Sequence, residues 1–118
     1  MANILNSVKL FLGIRPEYEE FNKQILMFIN AVFNILNQLG VGPEKGFIAD
    51  GNSTWSDFID DSEKLEMVKP YVYLKVRLMF DPPAMSYVLD SMSKQITEYE
   101  WRLNVQADTK PKEVTENG

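Results

Sequence analysis

The segment LEMVKPYVYLKVRLMFDPP, from Leu65 to Pro83, restricts the fold of this chain more than any other stretch. Wound as a helix at about 100° per residue, it gathers Leu65, Val68, Val72, Val76 and Met79 into one apolar stripe. Met67, Tyr71, Leu74 and Leu78 form a second stripe on nearly the opposite side. Lys75 separates the two on one flank, and Glu66, Pro70 and Arg77 separate them on the other, so polar material is confined to narrow seams. A helix that is apolar on both sides needs two things to pack on. One is the chain's own core; the other is a further helix of the same subunit or the surface of a neighbour. The end of the segment is equally legible. Pro82 biases Asp81 away from the αR region, and two successive prolines deny the next turn its N–H donors, which predicts a stop near Phe80. Pro70 forfeits the bond to Glu66 and marks either a kink or the true first turn.

A chain of 118 residues supports one domain with a modest core. With 45% hydrophobic and 25% charged residues it reads as a soluble globular protein, and its apolar runs are broken well short of the roughly 20 residues a membrane span needs. No membrane partner is expected. The first fourteen residues carry one basic side chain, Lys9, and no basic leader, which reads poorly as a secretory signal. The chain has neither cysteine nor histidine, so thiolate nucleophiles, disulfides, Cys/His zinc sites and histidine bases are all excluded. A net charge of −5 and a pI of about 4.7 argue against a nucleic-acid footprint, which relies on clustered Lys and Arg.

Taken in order, a first helix is expected from about Asn3 to Leu12, with Ile4, Leu5, Val8, Phe11 and Leu12 on its buried side. Gly13 stands where a left-handed C′ residue belongs, and Ile14 behind it supplies the apolar contact of a Schellman ending. Pro16 then suits the first position of a second helix whose opening turn holds Glu17, Glu19 and Glu20. Its apolar positions Tyr18, Phe21, Ile25, Phe28, Ile29, Val32, Leu36 and Leu39 step by three and four, the strongest periodicity in the chain. Leu26 and Phe33 lie off that stripe, and Asn22, Asn30, Asn34, Asn37 and Gln38 give an exposed side of amides. Leu39, Gly40 and Val41 repeat the ending seen at Gly13. Residues 42–53, GPEKGFIADGNS, read as a long loop, in which Phe47 and Ile48 either pin to the core or form a short edge strand that pairs with a neighbour. Thr54 and Asp57 have capping-box spacing for a brief helix bearing Trp55, Phe58 and Ile59, the two large aromatics being read as caps on the core. A last helix over about Ala84 to Val105 sets Met85, Leu89, Met92, Ile96, Tyr99 and Leu103 in a narrow seam, with Asp90/Lys94 and Glu98/Arg102 as i,i+4 pairs. The fold class is therefore all-α, a small bundle of four to five helices with one long loop. Residues 1–105 form the helical domain and 106–118 a polar tail expected to be mobile. Asp60, Asp61 and Glu63 read as a helix-start signal ahead of a metal cluster; no metal or cofactor is expected.

The strings INAVFNILNQLGVGPEKGF, TWSDFIDD, VKPYVYLKVRLMFDPP and EYEWRLN together resemble the small head-tail connector proteins of tailed bacteriophages and related prophages, also called adaptor or head completion proteins. The resemblance runs from about Ile4 to Asn104, and YVYLKVRLMFDPP followed by EWRLN carries most of its specificity. It implies a helical-bundle protein of the virion, without enzymatic activity, that assembles as a homo-oligomeric ring of about twelve subunits beneath the portal protein. Such a ring docks the tail or a stopper protein and lengthens a channel through which DNA passes without specific binding. Residues expected at subunit or partner contacts are Tyr71, Leu74, Lys75, Arg77 and Leu78 on the doubly apolar helix, Phe47 and Ile48 on the loop, and Trp101 off the last seam. The competing reading is a small helical DNA-packaging or regulatory DNA-binding protein, against which the acidic balance weighs. An enzyme built on carboxylates alone has nothing but the presence of Asp and Glu behind it, and a helical di-iron site would need Glu-x-x-His pairs that a histidine-free chain cannot supply.

Overall fold

In a computed structural model that describes residues 3–108, five helices follow one another: α1 Ile4–Phe11, α2 Asn22–Gln38, α3 Trp55–Phe58, α4 Ser62–Phe80 and α5 Ser86–Asp108. Helix α4 is the centre. It packs on α1 and α2 along one side and on α5 along the other, giving a slab of 51 × 35 × 20 Å. Val68, Val72 and Val76 of α4 join Ile4, Val8, Ile25, Ile29, Val32 and Leu36 in one apolar core.

The helix ends form as their residue chemistry dictates. Asn3 caps α1 by accepting from the Asn6 N–H at 2.9 Å. Two Schellman endings close α1 and α2. Ile14 N–H donates to Lys9 O and Gly13 N–H to Leu10 O, with Gly13 at φ 82°; Val41 and Gly40 repeat both bonds to Leu36 and Asn37, with Gly40 at φ 85°. Thr54 and Asp57 form the expected capping box on α3, and Asp61 caps α4 by accepting from the Glu63 and Lys64 N–H groups. Helix α4 ends at Phe80, where Asp81 leaves helical geometry and the Arg77 guanidinium donates to its carbonyl at 2.7 Å.

Two expectations about helix boundaries are corrected. The second helix begins at Asn22 and not at Pro16. The cause is Lys9, which is buried and whose ammonium donates to the carbonyls of Pro16 (2.9 Å) and Tyr18 (2.7 Å), two acceptors that a helix over this stretch would have used itself. The chain instead makes turns, with Tyr18 N–H bonded to Arg15 O and Asn22 N–H to Glu19 O, so Tyr18 and Phe21 stay exposed. The last helix starts at Ser86 and extends to Asp108, so Met85, expected in its seam, is exposed, while Met92, Ile96 and Leu103 are buried. Of its two expected ion pairs, Glu98 and Arg102 close at 2.7 Å and Asp90 and Lys94 do not. Of the two coverings left open for the second apolar stripe of α4, the structure shows a helix of the same subunit: α5 packs along α4, with Tyr71 fully buried and Met67, Leu74 and Leu78 half-buried. Met79, assigned to the first stripe, is more than a third exposed at the end of the helix. Residues 109–118, the greater part of the expected polar tail, lie outside the described residues.

Candidate interaction surfaces

The loop between α2 and α3 is shaped by side chains of α2. Asn30 clamps the main chain of Ala49 from both sides: its Nδ2 donates to Ala49 O at 3.1 Å, and its Oδ1 accepts from Ala49 N–H at 2.7 Å. Asn37 Nδ2 donates to Pro43 O at 3.1 Å. Part of what the spacing presents as a solvent-facing row of amides is therefore the anchor of the loop. A primary amide carries one donor group and one acceptor in the geometry of a peptide, and neither charge nor alcohol substitutes for it.

Inside the loop an aromatic cluster completes the anchor. Phe33 meets Phe58 at a centroid distance of 4.5 Å, Phe47 at 5.2 Å and Trp55 at 6.4 Å. Phe33 is thus buried although it lies off the main stripe of α2, because the loop folds over it. Trp55 and Phe58 are core residues as expected, and Trp55 Nε1 donates to Ser7 Oγ at 3.2 Å. The start of the loop has no room for a side chain: a Cβ on Gly42 would run into the Phe58 ring.

Along the loop from Phe47 to Ala49, exposure alternates in, out, in, as on a strand: Phe47 is half-buried, Ile48 is 83% exposed and Ala49 is buried. Phe47 pins the loop to the core. No strand forms here; the one isolated bridge among the described residues joins Asn3 to Thr54. The main-chain N–H and C=O groups of Phe47 and Ile48 make no hydrogen bond among the described residues. Between this stretch and α2 runs an open groove of about 700 Å³, bordered by Met27, Ala31, Asn34, Asn37, Lys45 and Ile48. Met27 is 61% exposed, and Lys45 is the groove's single charged residue.

A second surface is aromatic. Phe21 packs edge-on to Phe80 at 5.3 Å and tilts against Tyr18 at 5.8 Å, joining the end of α4 to the turn before α2. Beside it Phe11 stacks on Tyr73 at 5.1 Å while the neighbouring Leu10 stands exposed. Burial pushes the Tyr73 phenol above its ordinary value, against a smaller opposing effect of Ser7.

Between α4 and α5 the structure brings together three polar groups that the sequence left apart. Tyr71, fully buried, donates its hydroxyl to Glu100 Oε2 at 2.8 Å, and Lys75 Nζ stands 3.9 Å from the same oxygen. Desolvation, and then the Glu100 carboxylate, hold the Tyr71 phenol far above its usual range. Tyr71 has no surface to offer a neighbour while α5 is in place. Lys75 and Arg77 are both engaged within the subunit, Lys75 with Glu100 and Arg77 with the end of its own helix. Leu74 and Leu78 are half-buried against the core. Trp101 stands on the outer side of α5, 66% exposed. Ile48 and Trp101 are thus the expected contact residues that the fold leaves most open.

Among the described residues no cluster of acidic side chains is arranged to hold a metal ion, and no helix is long and apolar enough to cross a membrane. Residues 4–110 match a family model described as phage connector protein. No curated protein and no solved structure matches the chain.

Proposed function

Since the chain belongs to the phage connector protein family, a structural family of the virion, we propose that it forms a ring at the portal vertex, joins the head to the tail or to a stopper protein, and extends the DNA channel. The family match over all five helices carries this reading. The surfaces are compatible with it. A closed ring of identical subunits needs two unlike faces on each copy, one fitting the other. The groove with Ile48 and Met27 is one candidate, and the outer side of α5 with Trp101 is another of different shape and composition. Leu74 and Leu78 would contribute only at their uncovered edges. The interior of such a ring is served by the acidic balance of the chain, because a duplex repelled by the wall slides instead of being gripped.

Mass measurement of the purified protein, alone and mixed with portal protein, tests the proposal. A ring-sized assembly on the portal is the expected result. A subunit that stays single in the presence of portal protein would overturn it.

A further inference from the structure

Helix α2 begins where its residues do not favour a beginning. Its N-cap is Phe21, whose side chain offers the first turn no hydrogen bond, and Oδ1 of Asn22, the first helical residue, is buried without a partner among the described residues. The residues suited to a helix start lie earlier: Pro16, six residues before Asn22, and Glu17, Glu19 and Glu20. Tyr18 and Phe21 continue the apolar stripe of α2 at the same steps of three and four, yet both stand exposed. What draws this stretch out of the helix is the Lys9 ammonium, which takes the carbonyls of Pro16 at 2.9 Å and Tyr18 at 2.7 Å. It is a buried cation, and no carboxylate among the described residues pairs with it.

We propose that residues 16–21 are a latched extension of α2. While Lys9 holds the two carbonyls the segment makes turns; when the ammonium lets go, it winds onto α2, which then begins at Pro16. The hydrogen bonds favour the exchange. In the long form Pro16 O accepts from Glu20 N–H and Tyr18 O from Asn22 N–H, the i to i+4 pattern of a helix. The N–H groups of Glu20 and Phe21, which have no main-chain acceptor among the described residues, gain Pro16 O and Glu17 O. The chain length also allows it. Six residues add about 9 Å to α2. Residues 13–15 remain as the connection to α1, within the range of about 2–8 residues usual between packed helices. The Schellman bonds of Gly13 and Ile14 lie on the α1 side of that connection, so α1 keeps its end. Phe21 already meets Phe80 at 5.3 Å, which makes the end of α4 the surface that the added turns meet. The latch thus governs the aromatic surface there: Tyr18, 50% exposed in the latched form, joins the apolar stripe in the long one. The device belongs to the isolated subunit and does not depend on ring formation.

NMR-detected amide exchange of the full chain tests it. In Lys9→Met, the Glu20 and Phe21 amides should exchange about tenfold more slowly than in the parent, and the Cα signals of residues 17–21 should move to helical values. Adding Glu20→Gly should reverse both changes, because glycine disfavours the helix. Lys9→Gln, which retains a neutral donor, should show the same slowing to a smaller degree and gives the readout if Lys9→Met does not fold. A lysine that merely props the segment predicts the opposite, exchange that is unchanged or faster throughout residues 13–21. Unslowed exchange at Glu20 and Phe21 would overturn the proposal. Loss of folding in both variants would do the same, since Lys9 would then be required for the fold instead of choosing between two forms of α2.

Discussion

Lys9 illustrates how one side chain redraws an element boundary. By taking the carbonyls of Pro16 and Tyr18 it withdraws two acceptors from a helix that Pro16 and the glutamates after it would otherwise open. Lys9→Met keeps the volume and removes the donor; it should cost about 1–3 kcal/mol in urea unfolding, because the two carbonyls lose a charged partner. Asn30 has the same kind of influence on the loop. In Asn30→Asp, Ala49 N–H keeps an acceptor while Ala49 O faces a carboxylate oxygen, so a loss of about 1–3 kcal/mol is expected, together with faster proteolysis within residues 42–53. Neither role was legible from periodicity. A buried lysine and a row of asparagines look like solvated side chains until the segments they hold are in place.

At the scale of elements, α4 carries the sharpest sequence signal and leaves the most for the tertiary structure to decide. Its two apolar stripes and its end at Phe80 follow from residue spacing and from Pro82. What covers the second stripe does not. Pro70 sits in the middle of this helix without an N–H to donate to Glu66. Pro70→Ala restores that bond and should stabilise the isolated subunit by about 1–3 kcal/mol in urea titration. The contact of α4 with α5 carries a pH signature. The folded protein keeps Tyr71 protonated above the ordinary phenol value of 10.0, so this contribution to stability is complete below about pH 10 and declines as the pH rises further. Tyr71→Phe should cost about 0.5–1.5 kcal/mol at neutral pH. Its stability should then fall less steeply than that of the parent above pH 10, as followed by chemical unfolding across that range.

For the whole molecule, a slab 20 Å thick places the open apolar residues on separate regions, Ile48 on the loop and Trp101 on α5. Trp101→Arg should leave subunit stability within about 0.5 kcal/mol, since the side chain is mostly in solvent, yet weaken assembly, which sedimentation with portal protein would register. The sequence by itself determined the all-α class, the Schellman and capping-box termini, the central place of α4 and the family, because each depends on local spacing and on the residue types that can occupy a given backbone position. Only the tertiary structure decided that α5 packs on the second face of α4, that Tyr71 is interior, and that asparagines of α2 hold the loop. Those outcomes depend on which distant segments come into register, and an apolar stripe or an amide is equally ready to meet a helix of its own subunit, a loop or another molecule.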